Sequence, residues 1–328
     1  MQRRCKIIAK AALSEAQINV KRSIGCDGIE IQLLNELKGI GDHEWLDANS
    51  KFNLTDFIGK NIEVVHAPIL KSAGDTLIEW IADLDDMKLL DQVFYIANFI
   101  GEMEQRDIRV IFHSETSVAA LEDTAQGFTR IASVIKYMLE KYPFTILCIE
   151  NVTPFRGLDK GGVPRLANNY YCDNVEMVKA LREYCYTKRI GVVLDTCHQG
   201  ITEMYMNKIY DLAPEYEKPD FSLEHYFKEY SPYLEIVHLS DFDGCGYGKG
   251  KHGISFEDWT FDKLCEVLDL KEKYSPKSLL TLEVEETDFS VCNGYRETKR
   301  LVDKYYEKDL TGKAGAIKKY NGWTAFDY

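Results

Sequence analysis

Short runs rich in Ile, Val and Leu recur along the whole chain. They fall at Cys5–Ala9, Gly28–Leu33, Ile62–His66, Ile108–His113, Thr145–Glu150, Ile190–Asp195, Ile236–His238 and Leu279–Glu283. Apolar runs of this length between turn signals read as strands buried on both faces. Longer segments with helical spacing lie between them. "SEAQINVKRSIG" opens on Ser14, an N-cap residue type, and closes on Gly25. "SVAALEDTAQGFTRIASVIKYMLEK" is amphipathic and halts before Pro143, and "CDNVEMVKALREYCYTK" and "GYRETKRLVDKYYEKD" follow the same logic. Eight strands alternating with helices, with no Pro-, Gly- or Ser-rich linker between them, predict one (β/α)8 barrel domain over residues 1–328. The aromatic tail "YNGWTAFDY" is expected to pack against that barrel or a partner.

Six successive apolar runs end on residues that bind metals or move protons. "IEVVHAP" ends at His66 and "IRVIFHSE" at His113; "TILCIENV" ends at Glu150 and "GVVLDTCH" at Asp195 and His198. "EIVHLSD" ends at His238 and "LLTLEVE" at Glu283. Burying a carboxylate or an imidazole at a strand end is costly unless something pairs with it. In a (β/α)8 barrel, the C-terminal ends of all strands meet on one face, where active sites are built. One such histidine would read as structural; six strands ending alike read as a site. His, Asp and Glu without Cys is a ligand set for a divalent metal such as Zn²⁺, Mn²⁺, Fe²⁺ or Co²⁺.

Residues 241–258, "DFDGCGYGKGKHGISFED", follow His238 with five glycines in ten positions. They are expected to form a lid whose Lys249, Lys251 and His252 face the substrate. Neither a Walker loop nor a GxGxxG between strand and helix occurs, so no nucleotide cofactor is indicated.

Composition narrows the setting. The 328 residues carry a net charge of −13, which disfavours a nucleic-acid partner, since DNA surfaces need clustered Lys and Arg. Nine scattered cysteines without a CxxC pair argue against a disulfide framework or a thiolate zinc site, and point to a reducing cytoplasm. No stretch reaches 18 uninterrupted apolar residues, and the N-terminus lacks a secretory pattern, so no membrane partner is expected. Self-association is left open.

At these residues the chain resembles the xylose isomerase-like barrel superfamily, from about Ile7 to Glu286. That group holds sugar phosphate isomerases and epimerases together with endonuclease IV-like enzymes of apurinic-site repair. "GVVLDTCH" resembles an endonuclease IV signature; "CIEN", "HLSD" and "LEV" are shared more widely. The resemblance implies that Glu150, Asp195, His238 and Glu283 hold one metal, with Mn²⁺ or Zn²⁺ foremost and Co²⁺, Fe²⁺ or Mg²⁺ as alternatives. It matches His66, His113, His198 and His252 to the extra histidines of a three-zinc cluster. Three positions depart from the endonuclease pattern: Gly250 replaces an Asp two residues before the loop histidine, "HLSD" replaces "HLND", and Ile69 stands where an aromatic residue is expected.

The expectation is therefore a divalent-metal-dependent isomerase or epimerase acting by proton transfer on a small carbohydrate or its conjugate, with a lyase as a variant. The alternative is an apurinic-site phosphodiesterase. Catalytic roles are assigned to Glu150, Glu283, His198 and His113, and substrate binding to His66, His252 and Lys251. About one tightly held metal is expected, at most two, because Gly250 removes a carboxylate from the third position.

Overall fold

The computed structural model describes residues 5–33, 54–69, 84–113, 124–153, 155–158, 164–166, 174–212, 214–215, 217–243 and 252–310. Eight parallel strands close into a barrel: β1 (Ile7–Ala12), β2 (Gly28–Gln32), β3 (Ile62–His66), β4 (Ile108–His113), β5 (Thr145–Glu150), β8 (Ile190–Asp195), β9 (Leu234–Leu239) and β10 (Leu279–Leu282). The first strand lies later than its apolar run suggested, at Ile7–Ala12 rather than Cys5–Ala9, because Asp27 accepts from the Ile7 amide and Ala12 pairs with Gln32. A short antiparallel hairpin, β6 (Phe155–Leu158) with β7 (Pro164–Leu166), is inserted after β5 and was not anticipated.

Helices alternate with the strands: α1 (Glu15–Ile24), α2 (Leu84–Glu104), α3 (Thr124–Lys141), α4 (Asn174–Cys185), α5 (Thr196–Leu212), α6 (Leu223–Tyr230), α7 (Phe261–Tyr274) and α8 (Asn293–Leu310). Local chemistry sets their ends. Ser14 caps α1 by accepting from the Gln17 amide, and Gly25 ends it in the left-handed region at φ 106°. No helix among the described residues is long and apolar enough to cross a membrane.

Two apolar layers hold the barrel. The larger lies between strands and helices and includes Ile7, Ile29, Phe94, Ile135, Val192, Leu264 and Tyr295. The smaller fills the barrel interior: Ile8, Val64, Ile111, Cys148, Val193, Ile236 and Leu279. Below it, Arg109 pairs with Glu235 at 3.0 Å. Gly191 makes room for that carboxylate, since a Cβ there would lie 2.6 Å from Glu235 Cγ.

Candidate metal centre

The interior apolar ring positions the site directly. Along a strand, residues two apart face the same side. Ile8 is followed at that step by Lys10, Val64 by His66, Ile111 by His113, Cys148 by Glu150, Val193 by Asp195 and Ile236 by His238. Lys10 stands opposite Glu30 in the β1–β2 register, and Glu283 follows Thr281 just beyond β10. An ionisable ring thus sits one layer above the apolar one, at the C-terminal ends of the strands.

The first turn of α5 begins without a loop. Asp195 ends β8, and its Oδ1 accepts from the His198 amide at 2.6 Å, capping the helix and leaving Oδ2 for another partner. Asn151 extends the ladder past Glu150: its Oδ1 accepts from the Asp195 amide at 2.6 Å and its Nδ2 donates to the Asp195 carbonyl at 2.9 Å. Glu150 and Asp195 are held side by side as a result.

Glu150 lies at the middle of the ring, 1% exposed. Its Oε2 is 3.1 Å from His66 Nε2 and 3.3 Å from His113 Nε2, and its Oε1 is 3.3 Å from His238 Nδ1. Burial pushes its pKa up, but His238 and His113 outweigh burial and hold the carboxyl well below the usual range. Glu283 behaves alike: burial raises it, and Lys10 and His238 bring it well below. Asp195 goes the other way, raised because burial exceeds the help of His198.

The histidine tautomers show what these atoms await. His66 Nδ1 lies 2.7 Å from the Ala67 carbonyl, which can only accept, so Nδ1 carries the proton. Burial, then Lys10, holds His66 below its ordinary pKa, while its Nε2 lies within hydrogen-bond distance of Glu150 Oε2, at 3.1 Å. His238 Nε2 lies 3.0 Å from Glu30 Oε2, which also accepts from Thr281 Oγ1 at 3.0 Å. The proton therefore sits on Nε2, and Nδ1 faces Glu283 Oε2 at 2.6 Å and Glu150 Oε1 at 3.3 Å. Those three buried atoms converge with no hydrogen bond among them. Burial pulls His238 down, but Glu30, Glu150 and Glu283 lift its pKa well above 6.5, so Nδ1 takes a second proton where no metal holds the position.

The donors fit a divalent cation. One ligand atom each from Glu150, Asp195, His238 and Glu283 lies within 4.8 Å of the others, and His66, His113 and Glu150 form a second such group. Nitrogen and oxygen donors in this mixture suit Zn²⁺, Mn²⁺ and their neighbours.

All four residues expected to share a metal are therefore brought together. His66 and His113 join them through Glu150. His198 lies beside them on α5 rather than at a strand end, its Nδ1 2.9 Å from the Asn151 carbonyl. His252, half exposed, has its ring 5.7 Å from that of His198. It is brought there by paired backbone hydrogen bonds between Asp241 and Ile254. Lys249, Gly250 and Lys251, and the aromatic tail, lie outside the described residues.

Three contributors escaped the sequence reading. Lys10 and Glu30 sit two residues before the ends of β1 and β2, unlike the donors that close their strands. A lone charge inside "IIAKAA" and "GIEIQ" was the available signal. Asn151 was visible only as a neighbour of Glu150.

No protein-family model and no curated protein matches the sequence. Solved structures do. The IOLI protein with a bound zinc atom superposes at a TM-score of 0.57 and 12% identity, covering 92% of this chain and 98% of that one. A xylose isomerase domain-containing protein from Salmonella typhimurium LT2 gives 0.53 and 12%, over 93% and 99%. The chain shares the (β/α)8 barrel fold of these structures. D-allulose 3-epimerase from Methylomonas sp. shares it at 0.51 and 9% identity, over 93% and 99%.

Proposed function

We propose that this chain is a divalent-metal-dependent isomerase or epimerase acting on a small carbohydrate. The observation that carries the reading is the convergence of Glu150, Asp195, His238 and Glu283 at the open end of the barrel. A fold shared with a zinc-bound protein and with D-allulose 3-epimerase supports it.

Glu150, Asp195, His238 and Glu283 would hold the metal, which would supply Lewis-acid polarisation of a carbonyl. The chain's own groups divide the remaining work by access. Glu283, 20% exposed on its side chain, is the carboxylate a substrate reaches, and its Oε1, on release from Lys10, would accept a carbon-bound proton while Oε2 faces the metal donors. Glu150 is 1% exposed, beneath His113 and His198, and exchanges protons with the substrate through them. His198 and His113, 13% and 8% exposed, orient hydroxyls at the mouth. His252, half exposed beside His198, would contact the distal part of the sugar, whereas His66 is fully buried against Glu150 rather than open to a substrate.

A second reading, an apurinic-site phosphodiesterase, draws on the His66–His113–Glu150 group, which offers a place for another metal. The net charge of −13 and Gly250 weigh against it. One paired assay decides. Protein stripped by chelation and reloaded with Mn²⁺, Co²⁺, Zn²⁺ or Mg²⁺ is given keto-sugars in deuterated water and, in parallel, an abasic duplex at physiological salt. Metal-dependent deuterium uptake at a sugar carbon is expected. Efficient nicking without uptake would overturn the ranking, and full activity after metal removal would reject both.

A further inference from the structure

Lys10 stands within the ionisable ring, its side chain 13% exposed. Its Nζ lies 2.6 Å from Glu283 Oε1 and 3.5 Å from Glu30 Oε1. Among the described residues it is the one lysine or arginine whose ion pairs reach the centre's carboxylates. Its own backbone is fixed on both sides: Lys10 pairs with Glu30 in the strand register, and its carbonyl accepts from buried Lys21 Nζ.

The contact divides the two oxygens of Glu283. Oε1 belongs to Lys10, and Oε2 is turned toward His238 Nδ1 and the metal donors. Glu30 is divided in the same way, Oε1 toward Lys10 and Oε2 toward His238 and Thr281. Resting on the metal-dependent reading above, we propose that Lys10 is a built-in counter-ion for the centre. It offsets part of the carboxylate charge before metal arrives, pairing with Glu283 Oε1 and Glu30 Oε1. Glu30, Glu150, Asp195 and Glu283 together bring four negative charges when ionised, against Lys10 and, before metal arrives, a protonated His238. Like charges so close repel strongly in a poorly solvated interior. A resident cation lets the barrel top fold without metal, and it opposes the incoming dication by the same field.

This role has a sign that simple structural support lacks. Lys10→Met removes a positive charge near two carboxylates, so competition against a chelating indicator should show Zn²⁺ or Mn²⁺ bound at least about tenfold more tightly than by the parent. The rise in melting temperature on adding metal should also be larger than in the parent. A variant that folds only with metal present supports the counter-ion role as well. Equal or weaker affinity overturns it. If Lys10→Met fails to fold with or without metal, Lys10→Arg decides: affinity within about threefold of the parent supports a role of charge, and a larger change overturns it. A parent chain that binds no metal overturns the metal-dependent reading along with this one, whereas a metal-binding parent whose Lys10→Met variant binds metal no more tightly overturns this proposal alone.

Discussion

Glu30 and His238 are 208 residues apart in the chain and 3.0 Å apart in the barrel, where Glu30 Oε2 accepts from His238 Nε2. The contact runs from β2 to β9 through the interior and decides which nitrogen of His238 faces the donor cluster. Carboxylates in this position raise the basicity of the ligating nitrogen, and their loss typically costs 10–100-fold in metal affinity. Glu30→Gln keeps an acceptor for Nε2 but removes the charge. Titration with Zn²⁺ or Mn²⁺ should therefore show affinity lower by roughly 10–100-fold with the fold retained. Unchanged affinity would show that orientation alone matters.

Asp195 serves two structures at once, and two substitutions separate them. Asn still caps α5, so Asp195→Asn should melt close to the parent in chelator. Asp195→Ala loses the cap and should be less stable by about 1 kcal/mol. Both remove a ligand charge, and turnover should fall by at least about a hundredfold in each. Denaturant unfolding alongside an activity assay checks the pair.

Metal content follows from the two donor groups. Elemental analysis of protein purified without chelator should give about one firmly held ion, with a second, weaker one at His66, His113 and Glu150. His113→Ala should remove the weaker ion and leave the first. Three equivalents surviving dialysis would contradict this count and favour the phosphodiesterase.

The bottom of the barrel carries stability rather than activity. At Gly191 an added Cβ would lie 2.8 Å from the Tyr233 carbonyl, part of the backbone and unable to swing away. Gly191→Ala should cost about 1–3 kcal/mol by overpacking. Ile236→Ala, emptying part of the fully buried interior ring, should cost about 2–5 kcal/mol. Thermal unfolding measures both, with metal affinity in the folded fraction expected to stay near that of the parent.

The barrel itself was legible because strand-length apolar runs and helical segments alternate eight times. The four donors were legible because each ends its run or falls just past it. Lys10 and Glu30 were not, for a geometric reason: β1 and β2 continue two residues beyond the polar layer, to Ala12 and Gln32. What marks that layer is its height in the barrel, two residues above Ile8, Val64 and Cys148, and height depends on strand stagger. The hairpin Phe155–Leu166 escaped notice because "FRGL" and "PRL" are too short and polar to signal strands. Asn151 could not be assigned its part, since a side-chain amide standing in for a strand partner needs the neighbouring strand to be known.

The direct passage from β8 into α5 leaves no slack at Asp195. One residue inserted between Asp195 and His198 would turn the helix by about 100° and advance it by about 1.5 Å, taking the histidine away from the Asn151 carbonyl. The three-residue spacing in "DTCH" is thus a matter of angular phase, with the helix pitch aiming His198 at the mouth. The helix and the carboxylate also move as one body. A tug on α5 from its outer end, by a neighbouring molecule or by mechanical load, would reach the Asp195 carboxylate through its bond to the His198 amide.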